Sequence, residues 1–325
     1  MLARVEPTTA LSAERRQELR TRYAALSRSE ATQLAYARAW GSFLRWCTET
    51  GASALPADPR AVADFVIELG RRGRARSTIR QALAAIRYEH NLAGKPNPAL
   101  DPRVREVLAG VLREHGRPEQ PADPLMPTEL RSVIARLRPG VAGARDLALL
   151  TVGLAGGFRR SELRALLLED VRRERDAFTV LVRRSKTDAK GEGHVRRICR
   201  GEYPELCPVR ALEDWIAAAN ITGGWVFRPV DKHGRVADKP LSARGIHQIV
   251  ASCIAAVRAD DPSLLAGHHY SPHSLRSGLI TAAVIAGKAE YEVRDHVGHR
   301  SAQTTSRYVR ASKVRTSTVT KGIGL

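Results

Sequence analysis

Between positions 36 and 111, apolar residues recur three and four residues apart in four stretches separated by turn-forming residues. That spacing predicts four amphipathic helices. The first puts Tyr36, Trp40, Phe43, Leu44 and Cys47 on one face, behind Ser27 and Glu30, which are spaced as a capping box. The second opens with Asp58 as N-cap and Pro59 at the first helical position, and carries Val62, Phe65, Val66 and Leu69. The third starts at Ser77, carries Ile79, Leu83 and Ile86, and stops near Gly94. The fourth repeats the Asp-Pro start at Asp101 and Pro102, carries Val104, Val107, Leu108 and Val111, and ends at Gly116. Together they predict one small all-α domain over 27–116. Residues 1–26 have little apolar pattern and read as a loose extension.

Residues 117–127, RPEQPADPLMP, hold four prolines and read as a stiff linker and domain boundary. A second domain is expected over 128–310, with Thr128 as the first N-cap and helices at 128–138, 144–155 and 159–168. Residues 178–183 alternate as a strand does, and 195–199 could pair with them across a polar tip, RSKTDAKGEG. Helical patterning returns at about 208–219, 242–258, 274–286 and 288–296. The expected fold is mainly α with a small β-hairpin, an α+β arrangement, followed by a tail over 311–325.

Charge narrows the function. The 325 residues include 53 basic and 34 acidic side chains, a formal +19, and a polyanionic partner is the simplest reason for that excess. Only eight of the basic residues are Lys, so a single Lys carries more information than a single Arg. The four cysteines (Cys47, Cys199, Cys207 and Cys253) are scattered, with no CxxC, and read as reduced thiols of a cytoplasmic protein. No zinc site and no carboxylate cluster suited to Mg²⁺ is expected. The N-terminal stretch lacks the apolar core of a signal peptide, and the longest apolar run, 147–158, is too short for a bilayer.

Four segments carry the chemistry. They are GFRRSEL with Arg159 and Glu162, RRSKTDAKGEG with Lys186, HSLRSG with His273 and Arg276, and VGHRSAQTTSRYVR with His299 and Tyr308. Taken singly, each has an ordinary reading: an Arg on a solvated face, a Lys at a hairpin tip, a polar helix patch, a core Tyr. Their joint occurrence in this order, with Gly-His ahead of a late Tyr, does not. The set resembles the signature of the tyrosine recombinase, or phage integrase, family. That pattern has an Arg at a G-L-R-x-S-E-L helix start, a hairpin Lys, His-x-x-Arg, Leu-Gly-His and a nucleophilic Tyr. Arg159, Lys186, His273, Arg276, His299 and Tyr308 match it one by one, Glu162 matches its supporting acid, and the likeness spans roughly 27–310. Phe158 and Val297 stand where Leu is usual, and Lys190 competes with Lys186 on the same hairpin.

The resemblance implies a four-helix, SAM-like core-binding domain ahead of a tyrosine recombinase catalytic domain, closing as a clamp on double-stranded DNA. It implies a chemistry that uses neither cofactor nor metal. Two guanidiniums, Arg159 and Arg276, would clamp the non-bridging oxygens of a phosphodiester, and such donors are typically worth about 3–4 kcal/mol each. Tyr308 would attack, with His273 as base, His299 as hydrogen-bond donor and Lys186 as acid to the leaving 5′-oxygen. A monomer in solution would assemble as a homotetramer on paired sites, the tail docking on a neighbour, in a bacterial cytoplasm at the nucleoid. A type IB topoisomerase is the alternative enzyme, and a DNA-binding relative with a decayed site the alternative binder.

Overall fold

In the computed structural model, residues 12–26, 28, 30–115, 122–183, 193–306, 308 and 309 are described. The Ser27 cap, the Gly116 stop, Lys186, Lys190 and the tail from 310 onward lie outside them. The chain divides into two compact units, Met1–Gln120 and Pro121–Leu325.

The first unit contains α1 (Ala13–Leu26), α2 (Glu30–Thr50), α3 (Pro59–Arg71), α4 (Arg76–Leu92) and α5 (Pro102–Glu114). α1 corrects the expectation of a loose extension. Its Arg, Glu, Leu and Ala residues favour helix, and Arg15 pairs with Glu18 one turn on. It has no apolar face, so periodicity did not announce it. The two Asp-Pro starts form as expected: the Asp58 and Asp101 carboxylates each accept the amide two residues on, 2.7 and 2.9 Å away. α3 packs on α5 and α2 on α4 around Phe43, Phe65, Val66, Ile79, Ile86 and Val104. Leu44 is exposed, contrary to expectation, and Trp46 takes its place, its ring 5.5 Å from that of Phe65. Within this core His90 is fully buried. Its Nε2 accepts the Ala57 amide at 2.9 Å and its Nδ1 donates to the Ile86 carbonyl at 2.8 Å, a pattern that fixes a neutral tautomer.

The second unit contains α6 (Pro127–Ile134), α7 (Val141–Ala155), α8 (Arg160–Ala165), β1 (Val171–Arg173), β2 (Ala177–Val182), β3 (His194–Cys199), α9 (Pro208–Ala218), α10 (Ala243–Asp260), α11 (His273–Ile285) and α12 (Glu290–Val297). α6 starts ahead of the expected Thr128 cap, with Pro127 at its first turn and Glu129 reaching back to the Met126 amide at 2.8 Å. The sheet has the antiparallel order β1-β2-β3, one short strand more than the predicted hairpin. β2 and β3 pair Val180 with Arg196 and Phe178 with Ile198, so Arg196 lies on the core face. α7 runs through the middle of the unit, packed on α9 and α11. Residues 123–126, expected as linker, join this unit's packing. Leu125 is fully buried and its amide donates to the Ser274 carbonyl at 2.9 Å, at the start of α11. A Cβ on Gly278 would sit 2.0 Å from the Leu125 carbonyl oxygen, so a glycine is required there.

Replacing His90 with Leu strands a buried amide at Ala57. The expected cost is about 1–3 kcal/mol of unfolding free energy, read by chemical denaturation, with the second unit's site geometry unaffected.

Candidate active site

α7 ends at a Gly156–Gly157 turn. Gly157 holds φ at +56°, and a Cβ there would lie 2.8 Å from the Leu279 and Val297 side chains, so both the conformation and the space demand glycine. Carbonyls at a helix C-terminus lack intrahelical partners and carry the negative end of the dipole. Side chains from three remote elements take them. His296 of α12 donates from Nε2 to the Ala155 carbonyl at 3.0 Å. Arg196 of β3 donates to Gly156 at 2.9 Å, and Arg276 of α11 donates to Gly157 at 2.6 Å. One helix end thus gathers strand, α11 and α12.

Arg159 follows as the N-cap of α8, and Glu162 sits at the third helical position. One Glu162 oxygen accepts the Arg159 guanidinium at 2.7 Å. The other accepts the Arg159 amide and Arg196 Nη2, both at 2.9 Å. The Glu162 and Arg196 side chains are each only 1% exposed. Burial by itself would raise the Glu162 carboxyl, but the Arg196 charge and the Arg159 bonds outweigh it and hold the group below the usual carboxylate range. The carboxylate is therefore ionised, and it orients Arg159.

His273 opens α11, with Arg276 three residues on and one turn along the same face. Arg276 is buried. Its Nη2 is buried and has no hydrogen-bond partner among the described residues, so a buried N–H is left unsatisfied. Burial, then the Arg159 charge, lowers its pKa to about 9, and it remains protonated at pH 7. His273 Nε2 lies 2.8 Å from the Tyr308 hydroxyl. The His273 ring keeps an exposed edge, yet the protein mass around it, then Arg276 and Arg159, pull its pKa below the ordinary imidazole value. Gly298 closes α12 in the left-handed conformation at φ +66° and turns the chain toward the site. His299 follows. Its Nδ1 hydrogen-bonds the buried Thr305 hydroxyl at 2.9 Å, and its ring stacks on Tyr308 with centroids 6.3 Å apart. Burial, then Arg276 and Arg159, pull His299 down to about 4. The Tyr308 ring packs against Ile280, Val293 and Val297, a small apolar cluster of α11 and α12.

The described candidates thus fall into linked groups: Arg159 with Glu162, His273 with Tyr308, and His299 against Tyr308, with Arg276 near enough to act on Arg159 and both histidines. Lys186 lies outside the described residues. Sequence reasoning passed over Arg196 and Thr305. The signal for Arg196 was its parity with Ile198 on a strand; nothing in the local pattern marks Thr305. Among the described residues no group of three or more His, Cys, Asp or Glu side chains could hold a metal ion, and no helix is long and apolar enough to cross a membrane.

Comparison with known proteins identifies the family and the fold. Residues 124–315, more than half of the sequence, match the phage integrase family. The chain belongs to that family. Residues 23–93 match the phage integrase N-terminal SAM-like domain. An integrase/recombinase xerD homolog of Selenomonas ruminantium is 29% identical over 96% of this chain and 89% of its own length. The recombinase cre of Escherichia phage P1 is 23% identical over 85% of this chain and 82% of its own. The fold is similar to that of the Tn1549 transposon integrase solved with transposon right end DNA, at TM-score 0.62 and 17% identity, covering 89% of this chain and 94% of that one. It is also similar to a lambda integrase dimer bound to a core site, at TM-score 0.59 and 14% identity, covering 90% and 93%.

The depressed histidines make the recombinase's stability depend on pH. His273 and His299 have folded pKa values below the unfolded one, so between those values the unfolded chain binds more protons. The stability they contribute is present above about pH 6.5 and is lost as pH falls toward the His299 value of about 4. The thermal midpoint is expected to fall across that window, and less so in His299→Gln. An identical fall in the variant would show that other groups dominate.

Proposed function

We propose that this site-specific recombinase cuts and rejoins double-stranded DNA by transesterification, with Tyr308 as the nucleophile and neither ATP nor metal required. The observation that carries the reading is the 2.8 Å contact of His273 Nε2 with the Tyr308 hydroxyl, with a buried Arg276, one N–H unsatisfied, close enough to act on His273. A neutral His273 can accept the phenolic proton, because its lowered pKa leaves the nitrogen lone pair available at pH 7. The adjacent guanidiniums favour the phenolate that forms, since a free tyrosine titrates only near about 10. Arg159 and Arg276 clamp the non-bridging oxygens of the scissile phosphate as charge builds on them.

The Tyr308 oxygen bonds to phosphorus and the bond to the 5′-oxygen breaks. The products are a 3′-phosphotyrosine and, once Lys186 has supplied a proton, a 5′-hydroxyl. His299 stays neutral at pH 7, and a Thr305 hydroxyl that donates to Nδ1 leaves Nε2–H to donate to a phosphate oxygen. Reversal with a new 5′-hydroxyl reseals the strand, because the phosphoester bond is retained in the intermediate.

DNA binding is the expected use of the +19 charge and is what the solved relatives bound to DNA do. Exchange between two duplexes takes four cuts and therefore four protomers, so the proposal includes a tetramer on paired sites and a monomer in solution. The relatives come from bacteria and a bacteriophage, and action at a bacterial nucleoid completes the reading.

Tyr308→Phe is expected to abolish covalent attachment to a nicked suicide duplex while DNA affinity stays within a few-fold. Adducts at normal yield in that variant would overturn the nucleophile assignment. Lys186→Ala is expected to cleave slowly and to recover on a 5′-bridging phosphorothiolate, whose leaving group needs no proton. Recovery of Lys190→Ala instead would transfer the role to Lys190. Arg276→Lys keeps the charge but loses the planar fork, and should slow cleavage by about 10²-fold or more, read in single-turnover assays.

A further inference from the structure

Arg196 has no place in the family signature described above, and no sequence motif drew attention to it. Its surroundings are unusual for an arginine. The side chain is 1% exposed, in a unit whose other arginines mostly reach water. Burying a guanidinium is costly unless its donors are matched with acceptors. Three acceptors meet its two Nη groups, each from a different segment of the site, while Nε is buried with no hydrogen-bond partner among the described residues. Nη1 donates to the Gly156 carbonyl at the end of α7. Nη2 donates both to Glu162 Oε2 in α8, at 2.9 Å, and to the Val297 carbonyl in the last turn of α12, at 3.1 Å. The guanidinium also lies over the Phe158 ring, 4.7 Å from its centroid. Phe158 is one of two positions where this sequence departs from the usual Leu, and the aromatic face there serves Arg196.

We propose that Arg196 is a positioning residue for DNA cleavage, acting on Arg159 through Glu162 and on His299 through the Val297 carbonyl. The proposal rests on the strand-cleavage reading above. Glu162 Oε1 holds the Arg159 guanidinium, and Oε2 is shared by the Arg159 amide and Arg196. With Arg196 absent, Glu162 keeps a single guanidinium partner and is free to rotate or to take a proton, and Arg159 loses its fixed direction. On the other side, the Val297 carbonyl precedes Gly298 and His299. A bond there sets the angle at which the left-handed turn delivers the His299 ring. Neither effect requires Arg196 to touch DNA.

The test uses the full-length protein and a nicked suicide duplex. Arg196→Gln, Arg196→Lys and Glu162→Gln are compared by single-turnover cleavage rate, duplex affinity and thermal midpoint. Arg196→Gln is expected to slow cleavage by roughly 10- to 100-fold, with duplex affinity within about three-fold. Arg196→Lys restores the charge but not three-way bonding, and should fall between Arg196→Gln and the native enzyme. The double variant Arg196→Gln, Glu162→Gln should lose less than the product of the two single losses, because the two residues share the route to Arg159 while Arg196 alone also acts through the Val297 carbonyl. If Arg196→Gln fails to fold, Arg196→Lys decides alone: slowed cleavage at native affinity supports the proposal, and the native rate overturns it. Native cleavage by Arg196→Gln, or losses that multiply in the double variant, also overturn it. Tyr308→Phe run beside these separates the two readings, since adducts formed without the phenol would defeat the cleavage mechanism itself, whatever Arg196 does.

Discussion

The candidate active site depends on how one helix ends. α7 finishes in two glycines, and the carbonyls around that turn have no partner in the helix. Arg196, Arg276 and His296 supply the missing donors, from a strand and two helices far away in sequence. The Arg196 and Arg276 bonds satisfy buried acceptors and at the same time bring both guanidiniums close enough to feel the charge of Arg159, which starts the next helix. The turn cannot be made by a larger residue, because a Cβ on Gly157 would strike both Leu279 and Val297. Close packing and polar satisfaction therefore impose the same geometry at the same point.

Gathering Arg159, Arg196 and Arg276 around one carboxylate creates a site biased toward anions. Glu162 balances part of that charge and is held ionised by it. What remains acts on the two histidines, whose pKa values fall through burial and then through the arginines. A phosphate entering this field would meet guanidinium charge and neutral imidazoles. The electrostatics exist before any ligand arrives, which is the condition for stabilising charge that develops during a reaction without reorganising the surroundings. The apolar cluster of Ile280, Val293 and Val297 holds the Tyr308 ring beside both imidazoles, so this side chain is positioned by packing as well as by polar contacts.

Much of this was legible in the chain. Asp58-Pro59 and Asp101-Pro102 announce helix starts by a local hydrogen bond that needs no tertiary partner, and both form. The alternation in 178–183 and the Ile198 parity describe a sheet face. The spacing of His273 and Arg276 places them on one side of a helix before any fold is known, and Gly298 marks a left-handed turn ahead of His299. These are short-range properties, governed by periodicity and by what a backbone without a side chain can do. The motif set, taken whole, was enough to name the family.

What the sequence could not express was contact across long separation. α1 went unseen because a helix with no apolar face has no period to read. Leu44 and Trp46 both fit a helix surface near the core face, and only the packing of Phe43 and Phe65 decided that Trp46 turns inward. Residues 123–126 looked like linker by composition, yet the Ser274 carbonyl and the space above Gly278 draw them into the second unit. Arg196 is the sharpest case. In an arginine-rich chain one more arginine says nothing. Its meaning arises because strand pairing turns it inward, where its two Nη groups meet the Gly156 and Val297 carbonyls and the Glu162 carboxylate. The sequence by itself determined which residues could do the chemistry; tertiary structure decided which of them hold the others in place, because burial makes an unmatched charge or carbonyl too costly to leave alone.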